Sequence, residues 1–158
     1  MNNAQIAEVF RKISALSDLK GESVFVVRAY QRAANTIEHL PVELEVYVRE
    51  GRDLKEIGGI GDAIAKKIKE MLDTGRLEFY EKLQAEFPPG LLQIMDIPGV
   101  GPKTALRICQ ELSVTTVEEL ERAIEDGRVE KLPRLGKKAA ENILRHLSTL
   151  LTKDAERP

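Results

Sequence analysis

The sequence predicts an all-α protein, built as two small helical domains with a loop motif that recurs between helices. Charged residues make up 32% of the 158 residues and aromatic residues only 4%, a composition that favours helices over sheets. Apolar residues recur at helical spacing along most of the chain, and no segment alternates between apolar and polar residues as a strand does. The length allows two modest hydrophobic cores.

The first domain is predicted to span residues 1–87 and to contain five helices. Gly21 closes the first helix, Pro41 suits the first turn of the third, and Asp62 is a natural N-cap for the fourth. The predicted bounds are about 6–17, 22–39, 41–51, 62–72 and 77–87.

The second domain is predicted to span residues 88–158. Pro88-Pro89-Gly90 is the strongest helix breaker in the sequence and marks the domain boundary. Thr115 and Thr116, followed by Glu118 and Glu119, predict a capped helix start. The predicted helices span about 91–95, 102–112, 117–127 and 137–150, with a frayed tail from residue 152.

A short motif occurs three times. The copies are Ile57-Gly58-Gly59-Ile60-Gly61, Ile97-Pro98-Gly99-Val100-Gly101 and Leu132-Pro133-Arg134-Leu135-Gly136. Each copy is followed by an alanine four residues after its last glycine and an isoleucine seven residues after it. Such self-similarity indicates a repeated structural unit, two helices joined by a tight turn, known as a helix-hairpin-helix motif.

The residues of this motif suit a phosphate site. Two glycines around one aliphatic residue permit a turn that other residues tolerate poorly, while Ile60 or Val100 plugs the turn into the core. The glycine amides and the amides of the next helical turn then point outward, where they can bind phosphate without reading base sequence. Because the third copy has Arg134 in place of the first glycine, we expect it to be chiefly structural. The alternative is a set of helix connections with no ligand.

Charge is distributed unevenly along the chain. The net charge is −2 and the isoelectric point about 5.8, which argues against a strong nonselective nucleic-acid binder. However, residues 131–145 are mainly basic, residues 118–130 are mainly acidic, and three lysines occur between positions 66 and 69. One face could therefore be basic, although solvated helix faces also produce such runs.

These segments resemble the N-terminal part of the family X DNA polymerases, the DNA polymerase beta group and its bacterial relatives. The similarity extends from about Ile6 to Leu150, and the segment Arg28-Ala29-Tyr30-Gln31-Arg32-Ala33-Ala34 is its most specific mark. The resemblance implies a lyase-like domain followed by a fingers-like domain. The family's palm domain would follow Leu150, so we expect either part of a longer enzyme or a stand-alone relative, and no polymerase activity from these residues alone.

The resemblance also implies ligands at the hairpins. In the family, backbone carbonyls hold a monovalent cation, Na⁺ or K⁺, which bridges to a DNA phosphate. The matching carbonyls belong to Lys55, Ile57, Ile60, Met95, Ile97 and Val100. The matching amide donors belong to Gly59, Gly61, Ala63, Gly99, Gly101, Lys103 and Thr104. The implied partner is DNA with a gap, a nick or an abasic site, bound in base excision repair.

A 5′-deoxyribose phosphate lyase is implied as a further activity. The family's lysine nucleophile matches Lys67, and a family tyrosine near it matches Tyr30. Helical geometry places Lys67 at the edge of the apolar stripe, where it would be half-buried. The family's cationic 5′-phosphate pocket is not matched, because its positions hold Phe25, Val26, Ala63 and Phe79. Arg28 and Arg32 are candidate substitutes, and a snorkelling surface lysine is the alternative for Lys67.

The cysteines, the histidines and the apolar segments of the sequence bear on metal binding and cellular location. A single cysteine, Cys109, cannot form an internal disulfide, and His39 and His146 are too far apart in sequence to suggest a zinc cluster. Neither a transmembrane segment nor a signal peptide is evident. We expect a cytoplasmic, nucleoid-associated monomer without membrane contact. A helix-hairpin-helix scaffold that binds proteins without DNA chemistry is the alternative function.

Overall fold

The computed structural model describes the backbone of residues 1–156 and the side chains of residues 1–149. Within residues 1–156 the regular structure is helical, without strands, and confirms the predicted all-α class. The helices are α1 (Asn3–Lys20), α2 (Val24–Glu38), α3 (Leu44–Arg49), α4 (Asp62–Thr74), α5 (Glu78–Ala85), α6 (Leu91–Met95), α7 (Pro102–Leu112), α8 (Val117–Glu125) and α9 (Lys137–Glu156). A short 3₁₀ helix, Leu54–Glu56, precedes the first glycine turn. None of the described helices is long and apolar enough to cross a membrane.

The chain forms two compact units, Met1–Glu86 and Phe87–Pro158. In the first unit, α1 packs along α2 and buries Phe10 and Ile13. Asn3 is buried at the start of α1, where its Nδ2 donates to the Val42 carbonyl at 3.0 Å and its Oδ1 accepts from the Leu44 amide at 2.8 Å. These bonds attach the chain before α3 to α1.

The second unit has its own core. α6 packs against α7, and α8 against α9. The residues at the centre are almost fully buried: Ile94, Ile97, Ala105, Ile108, Leu120, Ala123, Ile143 and Leu147. The single cysteine, Cys109, is also buried, and burial raises the pKa of its thiol.

Two predicted helix bounds were wrong. The third helix begins at Leu44 and not at Pro41, because the chain turns at positions 41 and 42 and Glu43 takes the N-cap position. The last helix continues to Glu156, beyond the predicted end at residue 150. The final two residues of the predicted frayed tail, 157 and 158, lie outside the described residues.

Candidate nucleic-acid interface

The first hairpin joins the 3₁₀ helix to α4 through a β-turn. The Ile60 amide donates to the Ile57 carbonyl at 3.1 Å, and Gly59 between them has a φ of +92°. A positive φ at the third position is the mark of a type II turn, and glycine takes it without strain. Ile60 is buried and anchors the turn in the core.

The second hairpin repeats this geometry between α6 and α7. The Val100 amide donates to the Ile97 carbonyl at 3.0 Å, and Gly99 has a φ of +86°. Pro98 occupies the second turn position, where its fixed φ suits a type II turn. Val100 is buried, as Ile60 is in the first hairpin. The two copies recognised in sequence are thus the same structure.

The third hairpin keeps the turn although it has lost the glycine. The Leu135 amide donates to the Leu132 carbonyl at 3.1 Å, and Arg134 has a φ of +68°. The Ala140 amide bonds to the Gly136 carbonyl at 3.0 Å, matching bonds of 2.9 Å that begin α4 and α7. The sequence predicted a degenerate third copy. Its backbone keeps the turn hydrogen bond and the positive φ, and the difference is the arginine that replaces the first glycine.

The helices that follow the first two hairpins begin without a side-chain cap. The prediction that Asp62 caps α4 was wrong, because Gly61 is the N-cap, with extended backbone, and Asp62 is the first helical residue. Gly101 is the N-cap of α7, again with no side-chain hydrogen bond. By contrast, side chains of Asn2, Ser23 and Thr116 cap α1, α2 and α8. Each hairpin therefore leaves helix-terminal amides available to a ligand.

Open space lies in front of these amides. A Cβ atom added to Gly61 or to Gly101 would meet no heavy atom within 4 Å. The predicted donors gather along each turn and the helix start that follows it. Of these residues, Gly61, Ala63, Gly99, Gly101 and Lys103 are exposed, and Gly59 and Thr104 are half-buried.

The predicted carbonyl ligands lie along the same turns. The Ile57 and Ile97 carbonyls accept the turn hydrogen bonds. Within residues 1–156, the other four accept no hydrogen bond: Lys55, Ile60, Met95 and Val100. Oxygen atoms without a donor suit a hard cation, which prefers oxygen ligands. The turns thus have acceptors suited to the implied monovalent cation.

Three side chains that the motif does not contain lie beside the turns. A Cβ on Gly59 would lie 3.3 Å from Arg32 Nε and 3.1 Å from Thr36 Oγ1, so α2 borders the first hairpin. Asn142 Nδ2 donates to the Pro98 carbonyl at 3.3 Å, so α9 braces the second. Arg32 belongs to the segment that marks the family resemblance, whereas nothing in the sequence indicated Asn142.

Lys67 and Tyr30 both contact the aromatic ring of Phe79. The Lys67 ammonium is 4.7 Å from the centre of the Phe79 ring, and that ring stacks on Tyr30 with 6.3 Å between centroids. Lys67 is half-buried, whereas Lys66 and Lys69 are exposed. Tyr30 is buried, and burial raises the pKa of its hydroxyl. Its hydroxyl is therefore protonated at neutral pH and able to donate.

A cleft of about 420 Å³ opens beside these rings. Val26, Tyr30 and Phe79 form part of its wall. Its cations are already paired, since Lys20 Nζ lies 3.0 Å from Glu86 and Lys82 Nζ lies 3.1 Å from Glu78. The cleft thus lacks the unpaired positive charge of a 5′-phosphate pocket.

Comparisons with known proteins agree with this geometry. A helix-hairpin-helix domain family matches residues 1–77, and a SAM-like tandem helix-hairpin-helix family matches residues 91–149. The DNA polymerase/3′-5′ exonuclease PolX of Bacillus subtilis is 34% identical over 93% of the chain. DNA polymerase lambda of Arabidopsis thaliana is 30% identical over 75% of it. The Holliday junction branch migration complex subunit RuvA of a Polaromonas species is 46% identical over 39% of it.

The fold and its hairpins define the chain as a helix-hairpin-helix protein. Its similarity to PolX extends through both units and includes the segments that carry the resemblance in sequence. The chain belongs with the family X DNA polymerases, as an N-terminal helix-hairpin-helix region of that family. It spans between 21% and 33% of the length of the three relatives named above.

Proposed function

We propose that the chain binds the sugar-phosphate backbone of DNA at gaps, nicks or ends during repair, without reading base sequence. The observation that carries this proposal is the pair of hairpins, each with uncapped helix amides behind an open glycine. Backbone amides at a helix start bind phosphoryl oxygens through hydrogen bonds and the helix dipole. The relatives named as DNA polymerases support DNA as the source of the phosphate.

Unpaired cations near the second and third hairpins support the same partner. Within the described side chains, Lys103, Arg134, Lys137 and Lys138 form no ion pair. Lys103 can neutralise a phosphate beside the amides of the second hairpin, and the three cations at the third hairpin can attract the same DNA through charge alone. Because the chain as a whole carries a net charge of −2, we expect an affinity that is modest and falls steeply with salt.

The open glycines give a direct test. Gly61→Ala and Gly101→Ala each place a methyl group where it touches nothing in the protein, at backbone angles that alanine adopts readily. The fold should therefore persist, while the approach of a phosphate is obstructed. We expect each variant to bind nicked and gapped duplexes about tenfold more weakly, because one charge-assisted hydrogen bond is lost. Fluorescence anisotropy measures the two affinities.

Gly136→Ala is the matched control. It makes the same change at the same position of the third hairpin, where a Cβ also meets nothing, and it should leave binding unchanged if that hairpin is structural. Wild-type binding that is absent, or insensitive to salt and to both hairpin variants, would instead support the protein-scaffold function. Light scattering under the same conditions checks the expected monomer.

We also propose that a monovalent cation, Na⁺ or K⁺, contributes at each hairpin. The Lys55, Ile57 and Ile60 carbonyls would hold it at the first hairpin, and those of Met95, Ile97 and Val100 at the second. A bound cation supplies a positive charge between the carbonyls and a DNA phosphate. Exchange of K⁺ for tetramethylammonium at equal ionic strength should then weaken binding, and equal affinity in the two salts would contradict the proposal.

Lyase activity is a second candidate, supported by the position of Lys67. Lys67 is half-buried, and its amine lies over the Phe79 ring, which stacks on Tyr30, at the position of the family nucleophile. In the reaction, unprotonated Nζ attacks the aldehyde carbon of an open abasic sugar, and water leaves as the C=N bond forms.

Borohydride trapping on abasic DNA tests this candidate. Reduction converts the C=N bond to a stable amine, so that a covalent protein–DNA product accumulates. We expect Lys67→Ala to abolish the product and Lys66→Ala to retain it, since Lys66 lies on the same helix but is exposed and paired with Asp62 at 3.4 Å. A product that survives Lys67→Ala would assign the chemistry elsewhere.

A further inference from the structure

Two hydrogen bonds tie the second and third hairpins to each other. Asn142 Nδ2 donates to the Pro98 carbonyl at 3.3 Å, and Arg107 Nη1 donates to the Pro133 carbonyl at 2.9 Å. Both acceptors are the proline at the second position of a hairpin turn. Both donors are the sixth residue of the helix that follows the other hairpin, α9 in one case and α7 in the other. Each of these hairpins is therefore held by the helix of its neighbour.

The Asn142 bond selects between two forms of the second turn. Type I and type II turns differ in the orientation of the peptide group between their two central residues, and both accommodate the hydrogen bond between the outer residues. Proline suits the second position of both types, and Gly99 accepts the backbone angles of either. The residues of the turn therefore do not by themselves select the type II form. A donor beside the Pro98 carbonyl does, because rotation of the peptide would break its hydrogen bond.

The orientation of this peptide decides where the Gly99 amide points. The Pro98–Gly99 peptide is trans, so its C=O and N–H bonds point in opposite directions. Its carbonyl faces Asn142 on α9, whose Nδ2 would lie only 3.1 Å from a Cβ on Gly99. The Gly99 N–H bond therefore points away from α9, and within residues 1–156 it donates no hydrogen bond. It is a free donor whose direction Asn142 fixes.

The third hairpin shows that such a bond is compatible with a type II turn even at a residue that disfavours it. Arg134 has a Cβ, so the positive φ of the type II form is unfavourable for it, and the type I form would relieve that strain. Arg134 nevertheless keeps a φ of +68°, while Arg107 holds the Pro133 carbonyl through a charge-assisted hydrogen bond. The glycine of the second hairpin has no such strain, so a neutral amide suffices there.

We propose that Asn142 is a positioning residue for phosphate binding at the second hairpin. By holding the Pro98 carbonyl, it keeps the Gly99 amide directed outward, where a DNA phosphate accepts from it. The inference rests on the proposed function and gives the third hairpin a task within it. That hairpin fixes the start of α9, the helix that carries Asn142, and needs to bind no phosphate itself. This task accounts for a turn that persists without its first glycine.

The experiment removes and restores the donor at position 142 without a change of charge. Asn142→Leu removes the amide at similar size, and Asn142→Gln restores a donor on a longer side chain. We expect Asn142→Leu to bind a nicked duplex about three- to tenfold more weakly, up to the loss of one hydrogen bond, and Asn142→Gln to recover most of the affinity. Gln110→Leu makes the same kind of change at an exposed position in the last turn of α7. It is the matched control and should bind as wild type.

Two further readouts distinguish positioning from a general loss of stability. In wild type, the nuclear magnetic resonance signals of the Gly99 and Gly59 amides should both shift when the nicked duplex is added. In Asn142→Leu the Gly99 shift should be lost and the Gly59 shift kept. The affinity loss of Asn142→Leu should add little to that of Gly101→Ala, whose hairpin is already obstructed, but should multiply with that of Gly61→Ala in the other unit.

The outcomes separate the two proposals. If Asn142→Leu binds as wild type, or if its loss multiplies with that of Gly101→Ala as fully as with that of Gly61→Ala, the inference is overturned and the proposed function stays in place. A Gly99 signal that still shifts in Asn142→Leu overturns the inference in the same way. If Gly61→Ala and Gly101→Ala both bind as wild type, the proposed function fails and the inference fails with it.

Discussion

Arg134 shows, at the scale of one residue, that buried neighbours can hold a turn whose corner is not glycine. Its φ of +68° lies in the left-handed region, which is unfavourable for a residue with a Cβ by about 1–2 kcal/mol. The turn persists because its hydrogen bond is formed and the partly buried Leu132 and Leu135 hold its two ends. The packing of the second unit therefore supports a strained arginine.

Arg134→Gly should relieve this strain. We expect the second unit to gain about 1 kcal/mol in its free energy of unfolding, less the entropy that glycine adds to the unfolded chain. Urea denaturation followed by circular dichroism measures the change, with Lys138→Gly as a control that places glycine inside α9 and should destabilise it. Clearly lower stability of Arg134→Gly would show that the arginine side chain contributes favourable contacts.

The residue types predicted where the hairpin turns lie, but not the N-cap of α4 or the side chains that pack beside the turns. The paired glycines at positions 59–61 and 99–101 indicated the turns, because few residues other than glycine accept a positive φ. The N-cap was misplaced at Asp62, since aspartate is a frequent cap while the extended backbone of Gly61 cannot be read from residue type. The approach of Arg32 to Gly59 depends on how α2 packs, which no local pattern contains.

At the scale of elements, helix starts divide into capped and uncapped ones. Side-chain caps begin α1, α2 and α8, while the helices after the two glycine hairpins begin without them. A serine or aspartate in place of the glycine N-cap would add only about a few tenths of a kcal/mol of helix stability, so glycine at these starts costs the fold little. α3, α5 and α6 also begin without a side-chain cap, but only α4 and α7 follow a glycine hairpin, and the amides at those two starts are the ones assigned to phosphate.

Gly90 controls the start of the second unit. Its φ is +83°, and an added Cβ would lie 2.2 Å from the Thr115 carbonyl oxygen. Gly90→Ala should therefore destabilise the second unit by more than about 2 kcal/mol, because alanine is strained at this positive φ and its methyl group would clash with the Thr115 carbonyl. Thermal unfolding measures this loss, and Gly101→Ala, with open space and an ordinary φ, should change stability by under about 1 kcal/mol.

Helix boundaries were predicted best where residue type alone sets them. The bounds of α6 and α7 agree with the sequence prediction, since Gly90 and Pro102 fix their first residues. The start of α3 was missed because it depends on Asn3, a buried residue far away in sequence that accepts from the Leu44 amide. Long-range hydrogen bonds of this kind leave no local periodicity.

At the scale of the whole molecule, each unit carries its own core and one of the two glycine hairpins. Two weak contacts on one chain reinforce each other, because the second binds at the high effective concentration that the first creates. This arrangement explains how a chain with a net charge of −2 could hold DNA with few phosphate contacts. It also predicts a measurable coupling between the units.

The double variant Gly61→Ala/Gly101→Ala tests that coupling. If both hairpins engage one DNA molecule, the double variant should bind about a hundredfold more weakly than wild type, the product of two tenfold losses. The slope of log affinity against log salt should also become shallower as phosphate contacts are lost. Single variants that each lose at most about twofold, together with a double variant that loses only about tenfold, would mean that only one hairpin binds at a time.

The burial of Cys109 has a practical consequence. A thiol that is 4% exposed and whose pKa is raised by its surroundings is poorly accessible to alkylating reagents and forms little of the reactive thiolate at neutral pH. Cysteines introduced on the surface of each unit would therefore be the only sites to accept spin labels. Electron paramagnetic resonance on such a pair would measure how far apart the two units lie, alone and when a nucleic acid joins them.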